Sequence, residues 1–125
     1  MIKILLVEQE AAAQTQLAAN FTHEGYDVVI SGNGFDAVTT AQIEEPDVIV
    51  MSMNLPRLNG WQAAEQLKAS AYTQNIPIIA MTDENSIENT RKCLLVGCDT
   101  RIVKPVHPKL IVQEIEMLLC VNGIS

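Results

Sequence analysis

The chain has 125 residues, 48% of them hydrophobic but only 4% aromatic, and carries 15 acidic against 8 basic side chains for a net charge of −7. That length supports one domain with a continuous aliphatic core, and the composition excludes a disordered segment. The acidic balance, with no basic stripe, argues against direct nucleic-acid binding; no apolar run nears the roughly 18 residues of a membrane span, and the N-terminal run Ile4 to Val7 meets Glu8 and Glu10 at once, so neither membrane insertion nor a signal peptide is expected.

An apolar run, Ile2 to Val7, opens the chain and is followed at once by Glu8, Gln9 and Glu10. Ala11 to His23 is rich in Ala, Gln and Leu, has helical length, and stops at Gly25, a helix C-terminal signal. A second run, Val28 to Ile30, ends at Ser31. The next predicted helix, Gly34 to Glu45, closes before Pro46, which cannot continue a helix. Val48 to Met51 leads into Ser52, Met53 and Asn54. A third helix is predicted over Asn59 to Ala71, with Asn59 or Gly60 near its start and Trp61, Ala64 and Leu67 at helical spacing. Ile76 to Met81 is followed by Thr82 and Asp83, and Ser86 to Val96 makes a fourth helix running into Gly97. A weaker run at Ile102 and Val103 precedes Lys104 and Pro105. Pro108 opens a last helix with Leu110, Ile111, Ile115, Leu118 and Leu119 on a wide apolar face.

Runs that are continuously apolar rather than alternating suggest strands covered on both faces. Five of them alternating with five helices predict an α/β domain with a parallel sheet and right-handed crossovers. In such a sheet the chemistry sits beyond the carboxyl ends of the strands. The candidate site is therefore Glu8, Gln9 and Glu10; Ser31; Ser52, Met53 and Asn54; Thr82 and Asp83; Lys104 and Pro105. Other residues read as structural. Cys93, Cys98 and Cys120 lack metal-type spacing and suit reduced, buried thiols. His23 and His107 are isolated, Asp47 belongs at the start of a strand, and Trp61 and Met81 are expected in the core.

Four segments, in this order and spacing, resemble the receiver domain of bacterial response regulators across essentially the whole chain. They are "ILLVEQE", "PDVIVMSMNLPRLNG", "IPIIAMT" and "GCDTRIVKP". The resemblance implies a flavodoxin-like, doubly wound five-stranded sheet of order 2-1-3-4-5 with helices on both faces. It also implies a non-enzymatic signalling domain of a two-component phosphorelay in the cytoplasm, of the stand-alone, single-domain type. In the family an aspartate at the position of Ser52 accepts a phosphoryl group from a kinase phosphohistidine, and the second acid of the first-strand pair, here Gln9, holds Mg²⁺, with Asn54 in the adjoining loop. Both carboxylates are missing from this chain.

A serine hydroxyl needs a base where an aspartate is already ionised. Mg²⁺ relies on hard anionic oxygens, and phosphoryl transfer relies on that ion. With Glu8 facing Lys104 alone, the site charge is about zero where a working receiver has about −2, so Mg²⁺ binding should be weak or absent. Asp83, where the family usually has a small residue, should repel an incoming phosphoryl group. At the position three before the lysine, commonly Tyr or Phe, stands Arg101, which resists burial and is expected on the outer surface of the fifth strand. Ile87, Leu95 and Arg101 are then expected to form one partner face on the fourth helix and fifth strand.

These departures predict a degenerate receiver that binds a histidine kinase, a phosphotransfer protein or an output protein without being phosphorylated. A homodimer through the fourth helix and fifth strand is the self-association such a face would support. Two alternatives stay open: a phosphoacceptor that still uses Ser52 or Glu8, with Glu8 as base for the serine, and an engineered replacement of an aspartate at Ser52, which would leave Gln9, Asp83 and Arg101 unexplained. A flavin or nucleotide-binding protein of the same architecture would need a glycine-rich loop after the first strand, and none is present.

Overall fold

The computed structural model describes residues 1–83 and 87–121. Five strands, β1 (Lys3–Val7), β2 (Asp27–Ser31), β3 (Val48–Ser52), β4 (Ile78–Thr82) and β5 (Thr100–Val103), alternate with five helices. The helices are α1 (Ala11–His23), α2 (Gly34–Glu44), α3 (Gly60–Ala69), α4 (Ile87–Val96) and α5 (Pro108–Val121). All strand pairs are parallel, as the alternation predicts, and the order is β2-β1-β3-β4-β5, as the family resemblance implies.

Alternate side chains along each strand enter opposite cores, which is why the central runs are apolar throughout. Leu5, Val7, Ile49, Met51, Ile78 and Ala80 pack under α2, α3 and α4. Ile4, Leu6, Val48, Val50, Ile79 and Met81 pack under α1 and α5, where Phe21, Ile111 and Ile115 are fully buried.

Element ends follow local chemistry. Asn33 accepts from the Asp36 amide at 2.9 Å to start α2. Asn59 forms a capping box with Gln62 at the start of α3, so Asn59 is the cap and not the first helical residue. Glu45 lies beyond α2 in the left-handed region (φ 48°), just before Pro46. The fourth strand begins at Ile78 and not Ile76, because the Ile76 carbonyl accepts from Lys68 Nζ at 2.8 Å and Pro77 has no amide to donate. Asp47 does act at a strand start, accepting from the Lys3 amide at 2.8 Å. The predicted start of the fourth helix, Ser86, lies outside the described residues.

Two packing expectations are corrected and a third is refined. Leu110 stands one position off the buried Ile111–Ile115–Leu119 stripe and is exposed. Cys120 is exposed and Cys98 half-buried, leaving only Cys93 as a buried thiol. Trp61 is half-buried, packed against the edge of the core with its other side on a cavity.

Candidate functional site

The carboxyl ends of β1, β3, β4 and β5 bring Glu8, Ser52, Thr82 and Lys104 together. Parallel register does this: Ser52 pairs with Met81 and Thr82 with Val103, and the Lys104 amide donates to the Thr82 carbonyl at 2.7 Å. Ser52 is completely buried, and its Oγ accepts a hydrogen bond from Lys104 Nζ at 2.8 Å. The same ammonium lies 3.4 Å from Glu8 Oε1 and 3.8 Å from Asp83 Oδ1.

Glu8 is buried, and its carboxylate is spent on its own surroundings. Oε2 accepts from the amides of Gln9 at 2.9 Å and Glu10 at 3.3 Å, while Oε1 faces Lys104. Its backbone is anchored by Gln14, which donates to the Glu8 carbonyl, and by the Ser31 carbonyl. Ser31 itself bonds Asp36 at 2.7 Å and supports the start of α2. Gln9 and Asn54 are exposed and line an open groove of about 450 Å³ with Met53, Pro56 and Trp61. Pro105 helps wall a separate cavity of about 260 Å³ that includes Glu8, Glu10 and Met81.

Two electrostatic expectations change. Asp83 lies in the cluster itself, sharing Lys104 with Glu8. Two carboxylates around one ammonium leave a local charge of minus one, not zero. Arg101 is half-buried, with Nη1 shielded from solvent. Its register partner is Ala80, and its charge acts on the Cys93 thiol of α4, so it does not lie on the outer surface of β5.

A serine in contact with a lysine can act as a nucleophile when the lysine is the base. Here two carboxylates surround the lysine, so it is held as a donor and the Ser52 oxygen is the acceptor. The divalent ion implied by the resemblance needs several hard anionic oxygens. The residues present do not fit it: Gln9 and Ser52 are neutral, and both Glu8 oxygens have donors. Among the described residues no group of three or more His, Cys, Asp or Glu side chains is arranged to hold a metal.

Substituting Lys104 by methionine should cost about 2 kcal/mol in urea denaturation, less than a fully buried pair because the lysine side chain is 27% exposed. Combining it with Glu8→Gln should recover part of that loss, since no buried carboxylate is then left without its ammonium.

Ile87 and Leu95 are exposed, and so is Leu94, which the sequence reading passed over. Leu95 lines a groove with Trp61, Gln62 and Glu65 on the α3 side. A cavity of about 280 Å³ beside Thr82 and Asp83, not foreseen from the sequence, is walled by Trp61, Glu88, Asn89 and Lys92. Lys92 sits 5.6 Å over the Trp61 ring and 3.6 Å from Glu88. The Glu88–Lys92 spacing of four is the one sequence signal that pointed there.

The sequence profile of the response regulator receiver domain matches residues 4–116. Protein PilH of Pseudomonas aeruginosa is 32% identical over 119 residues, which cover 95% of this chain and 98% of PilH. The probable transcriptional regulator ycf27 of Cyanophora paradoxa is 32% identical over 94% of this chain, and the chain spans about half of it, 48%. Among solved structures, the receiver domain of the sensor histidine kinase PA1611 from Pseudomonas aeruginosa superposes with a TM-score of 0.86. It is 29% identical, the match covers 93% of this chain and 95% of that one, and it holds a magnesium ion in its active-site cleft. No helix among the described residues is long and apolar enough to cross a membrane.

Proposed function

The chain belongs to the response regulator receiver domain family, and from that premise we propose that it is a degenerate receiver, working by protein binding without phosphorylation. Receiver domains are signalling domains of two-component systems that interact with histidine kinases or output domains. The observation that carries the reading is Ser52. The residue at the end of β3 is neutral, wholly buried, and hydrogen-bonded to Lys104, whose ammonium is already shared by two carboxylates.

Support for a silent site comes from both halves of the chemistry. The nucleophile has no free base beside it, because Glu8 is occupied by two amides and the lysine. The metal has no second carboxylate beside Glu8 from β1 or β3. The partner, a histidine kinase, phosphotransfer protein or output protein in the cytoplasm, would be met by the α4 face through Ile87 and Leu95.

Incubation with acetyl phosphate and Mg²⁺, followed by intact mass measurement, tests this. The expected spectrum shows the unmodified chain alone. Gain of a phosphoryl group at Ser52, Glu8 or any other residue overturns the reading.

A further inference from the structure

Helix α4 ends at a glycine in the left-handed region, Gly97, with φ +85°. The Gly97 amide donates to the Leu94 carbonyl at 3.3 Å and the Cys98 amide to the Cys93 carbonyl at 2.9 Å. This is the Schellman pattern, in which the side chain three places before the helix end meets the one just past the glycine. In most helices that contact is between two hydrophobes. Here both are cysteines, at the two positions whose side chains this motif brings side by side.

We propose that Cys93 and Cys98 are a reversible dithiol–disulfide site, closing a ring across the C-terminal turn of α4 when the chain meets a low-molecular-weight disulfide such as oxidised glutathione. Two features favour it. The Cys98 amide donates to the Cys93 carbonyl at 2.9 Å, which holds the two residues in the register where their side chains adjoin, so closing the ring needs no unfolding of the helix end. Access is graded, with Cys98 half-buried and Cys93 buried.

The order of events follows from that access. The Cys98 thiolate attacks one sulfur of the oxidised glutathione, whose S–S bond breaks, releasing one reduced glutathione and leaving a mixed disulfide. Cys93 then attacks Cys98 Sγ, the second glutathione leaves, and the Sγ–Sγ bond forms. The two thiol protons end on the two glutathione molecules, which also carry the two electrons. In a reducing compartment such a bond is transient and regulatory, not structural.

The ring encloses Leu94 and Leu95, both about three-quarters exposed or more. Oxidation therefore stiffens the helix end that presents them. The effect on docking rests on the proposed function above; the chemistry does not.

Burial pushes the Cys98 thiol up to about 12 and raises Cys93 as well. Little thiolate exists near neutrality, so ring closure is slow there and speeds up about tenfold per pH unit into the alkaline range.

The test uses the full chain carrying Cys120→Ser, which removes the exposed thiol, with oxidised glutathione at about pH 9. The expected product has lost two hydrogens, carries no glutathione, yields a single peptide with Cys93 and Cys98 joined, and reverts with reductant. Amide exchange at Leu95 to Cys98 should slow at least tenfold in it, and Cys98→Ser in the same background should abolish the hydrogen loss. A stable glutathione adduct with Cys93 still free, or recovery of both thiols unmodified, overturns the proposal. Neither result bears on phosphorylation, so this inference and the proposed function fail separately.

Discussion

Alanine at Gly60 or at Gly34 should each lower stability by about 3 kcal/mol or more, the largest losses expected among the described glycines. At Gly60 an added Cβ would lie 2.6 Å from Met53 Cα and 2.6 Å from the Ser52 carbonyl oxygen. At Gly34 it would lie 2.0 Å from the Leu58 carbonyl oxygen and 2.7 Å from its carbon. These are backbone atoms, which cannot rotate away as a flexible side chain would. Relief requires moving the start of a helix off the loop after β3, in a core packed as densely as a crystal. Gly25→Ala is the comparison: its φ of +93° is unfavourable, but nothing lies within 4 Å, so only the strain of a left-handed residue applies, about 1 kcal/mol. Thermal unfolding separates the cases, with drops of about 10 °C or more for the two clashing positions and a few degrees for the third. Equal shifts for all three would show that close packing of α2 and α3 on the β3 loop does not hold the site in place.

Those glycines also mark the limit of what the sequence reveals. Strand and helix order was legible because it depends on runs: four continuous apolar stretches, the stops at Gly25, Pro46 and Gly97, and Pro108 at a helix start. The parallel α/β sheet follows from that alternation, and its doubly wound order from the family resemblance. The identity of the polar cluster was legible too, because residues after each strand converge in any parallel sheet. What could not be read was how one ammonium is divided. Lys104 has Glu8, Ser52 and Asp83 within 4 Å, and sequence spacing gives no angle or distance to choose among them. Arg101 was misplaced for a related reason. A guanidinium is costly to bury, yet a long side chain can lie half-buried along α4 when the neighbouring positions are small, as with Ala80 on the adjacent strand. Helical spacing put Trp61 with Ala64 and Leu67, but Ala63, Ala64 and Leu67 form the fully buried face of α3 and Trp61 packs only against the core's edge. The Cys93–Cys98 contact could have been anticipated, since a glycine between two like residues five apart is the helix-ending pattern itself.

The second large effect is a gain. The double substitution Gln9→Asp and Ser52→Asp should create saturable Mg²⁺ binding, at least about 100-fold tighter than that of the unaltered chain. Each added carboxylate faces a dication within a few ångströms, where a unit charge pair is worth about 4 kcal/mol at an effective dielectric near 20. Even a fraction of that, doubled for the ion's charge, exceeds the roughly 2.8 kcal/mol that a hundredfold change in affinity requires. The two sites are not equivalent. Gln9 is exposed, so an aspartate there adds negative potential at little structural cost. Ser52 is fully buried, so an aspartate there must be neutralised by Lys104 or by the metal. Ser52→Asp alone should therefore be destabilised without Mg²⁺, and the double variant should regain its melting temperature as the ion is added, because a ligand bound only to the folded state stabilises it by mass action. The double variant should also take a phosphoryl group from acetyl phosphate, on the new aspartate at position 52, while the unaltered chain does not. Calorimetric titration decides the matter. Saturable binding of similar strength by the unaltered chain would mean that Glu8 and Asp83, around Lys104, already hold the ion, and silence in the double variant would mean that the two lost carboxylates are not what the site lacks.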